Sequence, residues 1–117
     1  MKYRNRLYKR IGNVQVWLVD GNGIRRNVSS RFKDSGVHKI FSFIPEKEIW
    51  VDERLDSRSR EIVILKSLRE YNLLNDGQKR KDVEYSVNKV ISKCQRFPLL
   101  IPYRYNQEVS RLRRKDR

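Results

Sequence analysis

The first half of the chain shows the two-residue apolar period that is typical of β-strands. Val14, Val16 and Leu18 alternate with polar or aromatic residues, so a strand at these positions has one apolar face. The Asp-Gly-Asn-Gly run at 20–23 is rich in residues that tolerate a positive φ. We therefore expect a turn at this run and a returning strand at 24–28, which together form a hairpin.

Two further strands are predicted in the next segment. Residues 37–44 place Phe41 and Phe43 on one face of a strand, and residues 49–51 form a short apolar run after a loop at 45–48. The length of that loop suits a second hairpin. The pattern therefore predicts about four antiparallel strands.

The second half of the chain has the spacing of three and four residues that is typical of amphipathic helices. A first helix is expected to start near Arg58, after a capping Asp56 or Ser57, and to end at the Asn-Asp-Gly run 75–77. A second helix is predicted over 79–96, and the short connection between the two predicts an antiparallel pair. The apolar stripe of the second helix is Val83, Val87, Val90, Ile91, Cys94 and Phe97.

These elements predict the α+β class: a small antiparallel sheet of about four strands, followed by an antiparallel helix pair, with basic extended termini. A chain of 117 residues is one ordinary domain. We expect a basic N-terminal arm at 1–12, a single α+β domain at 13–97, and a proline-flanked apolar segment with a basic C-terminal arm at 98–117. Because the arms contribute little to the predicted core, they are expected to be dispensable for folding.

The charge balance changes this picture of a plain small domain. The chain has 28 Lys and Arg against 14 Asp and Glu, a formal net charge of +14. Self-repulsion destabilises such a chain, so the excess indicates a partner with many negative charges. Nucleic acid is the first expectation, and an anionic membrane surface, an acidic protein or a merely charged surface are the alternatives. The acids concentrate at 46–56, where we expect a solvated loop or a patch that pairs with a basic arm.

Several classes of protein are disfavoured by composition. Cys94 is the one cysteine and His38 the one histidine, which is too few for an intrachain disulfide or a Cys/His zinc site. The sequence has no apolar run long enough to span a membrane, and no apolar segment of a secretory signal follows the basic N-terminus. We therefore expect a cytoplasmic protein, or one inside a viral or ribonucleoprotein particle, with no membrane contact.

The terminal arms form the predicted nucleic-acid interface, because tyrosines interleave there with lysines and arginines. Arginine grips a phosphate with two hydrogen bonds, and a tyrosine ring stacks on an unpaired base. The alternative is a solvated tail whose tyrosines pack on the fold. The candidate contact residues are Lys2, Tyr3, Arg4, Arg6, Lys9, Arg10, Arg104, Tyr105, Arg111, Arg113, Arg114 and Lys115.

Several motifs between residues 16 and 74 form a set. They are VWLVDG, FKDSG followed by His38, FIPEKEIWVDE, and a helix that ends in LREYNLL. This set resembles a family of short uncharacterised prokaryotic and phage proteins, in which the runs are roughly V-W-x-V-D-G, F-x-x-G-G-H and F-I-P-x-x-E-I-W-I-D. The resemblance covers about half of the chain.

The resemblance implies a metal-binding helix, because the family's helix has an H-E-L-x-E-like or H-x-L-x-E-like core whose His and Glu can hold one ion. Lys66, Ser67 and Arg69 stand at the matching positions here, and only Glu70 remains. Since two cations repel a metal ion, we expect no metal, no cofactor and no enzymatic activity. His38 matches the family's His after Gly-Gly, and we expect an ordinary residue on a strand face there, either hydrogen-bonded or half exposed.

The leading interpretation is therefore a non-catalytic, basic scaffold or accessory protein that binds RNA or DNA, for example within a ribonucleoprotein or viral complex. One alternative is a protein–protein interaction or assembly component of phage or viral type. Its anchors would be Leu99, Leu100 and Ile101, together with an exposed Trp17 or Trp50. A second alternative is a degenerate metallohydrolase-like protein.

Overall fold

A four-stranded sheet and four helices make up the part of the chain that the structure describes, residues 2–115 of a computed structural model. The fold is of the predicted α+β class. In chain order the elements are β1 (Arg4–Ile11), β2 (Val14–Val19), α1 (Gly21–Asn27), β3 (Ser35–Val37), β4 (Glu48–Asp52), α2 (Ser57–Asn75), α3 (Arg80–Arg96) and α4 (Leu100–Lys115).

The sheet is mixed, with the strand order β1-β2-β4-β3. β1 and β2 form an antiparallel hairpin, in which Gly12 takes a φ of 58° at the turn. β2 and β4 are parallel, with Val16 opposite Ile49, and β3 is antiparallel to β4. The prediction of an entirely antiparallel sheet is therefore wrong for the central pair. A parallel pair needs a long crossover connection, and residues 20–47 provide it.

The predicted strand at 24–28 is wrong, because residues 24–27 belong to helix α1 and Val28 follows its end. Asp20 caps this helix, because its Oδ1 accepts a hydrogen bond from the Gly23 N–H at 3.0 Å. The start of the helix also lies close to β4, since a side chain at Gly21 would overlap the carboxylate of Asp52. The glycine run therefore begins a helix beneath a carboxylate rather than reversing the chain into a hairpin.

The predicted strand at 37–44 ends after its first residue. The Phe41 N–H donates to the Val37 carbonyl at 2.9 Å, so the backbone leaves the sheet in a turn. Phe41 and Phe43 then pack with Phe32 and Trp50, with the Phe41 and Phe32 ring centroids 5.7 Å apart. The aromatic residues that resembled one face of a strand instead form a cover over the sheet.

The predicted N-terminal arm contains strand β1, which pairs along the whole of β2. Ile11 is buried, and Leu7 and Tyr8 are half-buried, while Arg6 and Arg10 are exposed. Such a mixture suits an edge strand, where charged side chains discourage pairing with another chain. The strand was missed because its few apolar residues are separated by cations and by two irregularities in register.

The structure confirms the two predicted helices as α2 and α3, which pack against each other. Asp56 caps α2 by accepting a hydrogen bond from the Ser59 N–H at 2.8 Å, and Gly77, after its end, has a φ of 87°. On α3, Cys94 is fully buried, whereas Phe97, just beyond the helix, is 52% exposed. The predicted stripe therefore holds except at its last position.

The predicted C-terminal arm forms helix α4, which packs on α2 and α3. Pro102 lies in its first turn, where the missing N–H has no helical acceptor to lose. Ile101, Glu108 and Leu112 are buried on one side of the helix. Because a charged residue occupies the centre of this stripe, the apolar period was not visible in the sequence.

The sheet has a core on each face. The first is closed by α2, α3 and α4, and the second by α1 and the loop with the phenylalanines. The residues of the first include Val14, Val16, Leu18, Ile49, Val51, Ile64, Leu68, Val87 and Leu112. The buried residues of the second are Val19, Ile24, Phe32, Ile44 and Trp50. Both terminal elements are thus part of the packed body.

Candidate nucleic-acid interface

The two basic terminal segments meet in the fold. Lys9 on β1 donates a hydrogen bond from Nζ to the Tyr105 hydroxyl of α4 at 3.1 Å, across 96 residues of sequence. Its ammonium group also lies 4.9 Å from the centroid of the Tyr105 ring. The structure therefore brings together two elements that were predicted separately as parts of one binding surface.

The tyrosines near this junction are partly used by the fold. Tyr105 is half-buried and contacts Lys9, and Tyr8 has the guanidinium of Arg60 at 5.1 Å from its ring centroid. Tyr3 is also half-buried and packs on the second core with Phe43. The packing described by the alternative interpretation is therefore present for these rings, and Tyr3 and Tyr105 are poorly placed to stack on a base.

Arg4 also makes its contacts within the protein. Its guanidinium lies 4.3 Å from the Trp17 ring centroid, and its Nη1 donates to Glu48 Oε2 at 2.9 Å. Asn5 donates to Glu53 Oε2 at 2.7 Å. The acidic patch therefore pairs with a cation of the basic N-terminal segment at Glu48, whereas the contact of Glu53 is with a neutral amide. The charge of Arg4 is consequently neutralised and contributes little to an interface.

The remaining predicted cations of the N-terminal segment are at the surface. Lys2, Arg6, Lys9 and Arg10 are all exposed on or beside the edge strand. Within the described residues β1 pairs with a strand on one side only, so these side chains lie on the edge strand of the sheet. They are available to an anionic partner that approaches this edge.

Helix α4 borders an open groove of about 570 Å³. Arg104, Arg111 and Arg114 line it from α4, and Arg69 reaches it from α2. Tyr103 lies at the same groove with 61% of its surface exposed. The arrangement can bind several anionic groups along one side of the helix.

Among the described residues that line this groove, Glu108 is the one acid, and it is buried and paired. Glu108 is 2% exposed, and its Oε2 accepts a hydrogen bond from Arg69 Nη1 at 2.7 Å. Its Oε1 and backbone carbonyl accept from Asn72 Nδ2, each at 3.0 Å, and Arg69 also donates to the Ser86 hydroxyl at 2.9 Å. This network links α4 to α2 and α3. The carboxylate of Glu108 neutralises Arg69 and, within the described residues, leaves the charges of the α4 arginines uncompensated.

The other arginines of α4 have no acidic partner among residues 2–115. The Lys or Arg ion pairs within that range involve Arg4, Arg25 and Arg69. Arg104 makes only a hydrogen bond of 3.3 Å to Gln107 in the same helix. The unpaired set on α4 is Arg104, Arg111, Arg113 and Arg114. The Lys115 side chain, also predicted as a contact, lies outside the described residues.

Sequence reasoning missed the groove because it treated residues 98–117 as extended. Tyr103, Asn106, Gln107 and Ser110 were therefore not selected as candidates, although all four border the groove. The signal that identifies them is helical spacing, since residues three and four apart share a helix face.

The residues of the metallohydrolase alternative lie elsewhere. Glu70 is half-buried in a pocket with Lys66, Arg80 and Glu84. Burial raises the pKa of the Glu70 carboxyl, although the charges of Lys66 and Arg80 oppose that effect. Within residues 2–115 there is no cluster of three or more His, Cys, Asp or Glu that could hold a metal ion.

His38 lies in the loop that follows β3. Its Nδ1 is 2.6 Å from the Ile44 carbonyl oxygen, and its Nε2 is 3.8 Å from Glu46 Oε1. It is therefore a hydrogen-bonded residue of a turn, not the strand residue that was predicted, because β3 ends at Val37.

The apolar segment proposed as an anchor is divided by the start of α4. Ile101 is buried in the protein's own core, Leu100 is half-buried, and Leu99 is 93% exposed. Trp50 is 2% exposed and donates its indole N–H to Glu48. Of the predicted anchors, only Leu99 is largely free to contact a partner.

In the described part, no helix has the length and hydrophobicity required to cross a membrane.

Comparisons with known proteins do not assign the chain to a family. No family model, no curated protein and no solved structure matches the chain, so the resemblance suggested by its motifs stays a prediction.

Proposed function

We propose that the protein is a non-catalytic, basic nucleic-acid-binding scaffold or accessory protein, acting inside the cell within a ribonucleoprotein or viral complex. The observation that carries this proposal is the set of α4 arginines that have no acidic partner within residues 2–115. Unpaired cations on a packed helix attract a polyanion, and the helix backbone needs no further ordering on binding.

The packing of α4 makes its arginines a fixed surface. Ile101 and Leu112 are buried against the body, and Glu108 is held between Arg69 and Asn72. The side chains on the other faces of the helix are thus presented at defined positions. Such a surface suits phosphate contacts, which set position and orientation but carry no direct information on sequence.

The edge strand supports the same function. Arg6, Lys9 and Arg10 are exposed on β1, and Lys9 links that strand to α4 through Tyr105. A nucleic acid that contacts α4 can thus reach further cations on the sheet edge. RNA and DNA both present the phosphates that this surface recognises.

The proposal is tested by the salt dependence of binding. Each neutralised phosphate releases counterions, so with six or more contacts the affinity should fall about a thousandfold or more between roughly 50 and 200 mM salt. Replacing Arg111, Arg113 and Arg114 by Gln should reduce the slope of log K against log salt by about 2. Fluorescence anisotropy with a labelled oligonucleotide measures both quantities.

The matched control removes the same charge from another surface. Lys79, Lys81 and Lys89 are exposed on or beside α3, and their replacement by Gln also lowers the net charge by three. If both triple variants lose the same affinity, bulk charge and not α4 accounts for binding. If the unmodified protein binds neither RNA nor DNA at low salt, the proposed function is wrong.

A protein-interaction function is the second candidate, and exposed apolar residues favour it. Leu99 is 93% exposed and Phe97 52% exposed in the connection between α3 and α4. A defined assembly that survives nuclease treatment and is lost on Leu99→Asp, measured by light scattering, would support this candidate. Dissociation of any complex by nuclease alone would support nucleic-acid binding instead.

A further inference from the structure

We infer that the groove beside α4 accepts a single-stranded nucleic acid, with an unpaired base stacked on Tyr103 and the adjoining phosphates held by the groove arginines. This inference rests on the proposed function and adds the class of nucleic acid. It involves residues that the charge argument alone does not select, above all Tyr103.

The aromatic ring of Tyr103 is available to a ligand. It is 61% exposed, whereas Tyr3, Tyr8 and Tyr105 are half-buried and pack on other groups. An exposed ring beside cations is the usual element of a single-strand site, because every base has a face that stacks. Tyr103 therefore offers an exposed ring on which a base can stack, and the three half-buried tyrosines do not.

The arginines lie along the helix from this ring. Arg104, Arg111 and Arg114 share the groove with Tyr103, and the helix rises by about 16 Å from residue 103 to residue 114. A stacked strand carries one phosphate per about 3.4 Å, so the row can meet several consecutive phosphates. The groove thus combines one stacking position with a track for the backbone.

Neutral polar side chains complete the groove. Asn106, Gln107 and Ser110 border it and offer both donors and acceptors. The edges of an unpaired base have the same mixed character, whereas phosphates have acceptors only. Glu108, the groove's acid, is 2% exposed and bound to Arg69, so repulsion of an anion is small.

A duplex does not satisfy this arrangement. Its bases are stacked on one another, so none presents a free face to Tyr103, and only the phosphate contacts remain. We therefore expect Tyr103 to contribute to the binding of single strands and to be neutral for duplexes.

The test compares one labelled oligonucleotide as a single strand and annealed to its complement, at one salt concentration, by fluorescence anisotropy. Tyr103→Ala should weaken single-strand binding about tenfold or more and leave duplex binding unchanged, while Tyr103→Phe should retain most of the affinity. Tyr85→Ala is the matched control, because Tyr85 is 72% exposed on α3 and does not border the groove. Circular dichroism confirms that each variant is folded.

The outcomes separate the two proposals. If the protein binds nucleic acid but Tyr103→Ala has no effect, or weakens single strands and duplexes equally, this inference is overturned and the proposed function stands. The same holds if Tyr85→Ala lowers single-strand affinity as much as Tyr103→Ala. If neither form of the oligonucleotide binds the unmodified protein, both proposals are overturned.

Discussion

At the scale of single residues, burial changes the chemistry of two titratable side chains. Cys94 on α3 is fully buried among residues of α2 and α4, and burial raises the pKa of its thiol. Glu70 on α2 is half-buried, and burial raises the pKa of its carboxyl. In both cases the uncharged form is favoured by removal from water.

Cys94 should resist thiol reagents in the folded protein. The reactive form is the thiolate, and the raised pKa lowers the fraction of the thiol that is ionised. Burial also keeps the reagent from reaching the sulfur. The reaction with a coloured disulfide reagent should be slow in buffer and fast in denaturant, followed by absorbance. Rapid labelling under native conditions would show that the packing of α3 on α2 is not as described.

Glu70 should make the protein less stable as pH rises. Its pKa in the folded state is above the ordinary 4.5, so the folded state holds its proton over a pH range in which the unfolded chain has released it. Stability from this group is fully present below the ordinary pKa and is lost as pH rises through the folded value.

The variant Glu70→Gln tests that sign. It should be more stable than the unmodified protein at neutral pH, and the difference should vanish below pH 4.5, as measured by urea unfolding. Glu61→Gln, an exposed position on the same helix, is the control and should show little change. A lower stability of Glu70→Gln at neutral pH would mean that its contacts with Lys66 and Arg80 outweigh the cost of burial.

At the scale of elements, the two helices with regularly spaced apolar residues were predictable from the sequence, and the terminal elements were not. α2 and α3 were predicted close to their observed bounds, because Asp56 caps α2 and the apolar stripe of α3 is regular. β1 and α4 were missed because cations in β1, and Glu108 in α4, interrupt the apolar period. Long-range pairing stabilises both elements: β1 along β2, and α4 on Arg69 and Asn72.

Leu112 distinguishes a docked helix from a free arm. It is 3% exposed in the first core, so Leu112→Ala should cost about 2–5 kcal/mol of unfolding free energy. Leu99→Ala removes the same atoms from a side chain that is 93% exposed, and it should change stability by less than about 0.5 kcal/mol. Chemical denaturation measures both. If both substitutions have equally small effects, residues 98–117 are not packed on the body and form the extended arm that was first predicted from the sequence.

At the scale of the whole molecule, positive charges outnumber negative charges in a small protein. The chain carries a formal net charge of +14, and the described part has a radius of gyration of 13.5 Å. The excess itself is readable from composition, whereas the location of its unpaired members required the structure, because Arg4, Arg25 and Arg69 are neutralised by acids distant in sequence. Composition thus predicts a polyanionic partner, and tertiary contacts show which arginines lack an acidic partner among residues 2–115.

Self-repulsion of this charge should make folding stability depend on salt. Raising sodium chloride from about 20 to 200 mM should increase Tm, because screening weakens repulsion among the surface cations. The triple replacement of Arg111, Arg113 and Arg114 by Gln should show a smaller increase. Scanning calorimetry provides the measurement, and a Tm that falls with salt would show that attractive pairs dominate.

The buried contact of Glu108 with Arg69 and Asn72 also determines where α4 can sit. A shift of the helix by one turn, about 5.4 Å, would carry the carboxylate away from its donors and leave it without compensation in the interior. An apolar residue at that position would tolerate several neighbouring alignments with similar energy. We therefore expect the polar contact to widen the energy gap between the native alignment and its slipped competitors, and so to keep the same side of α4 exposed in every molecule.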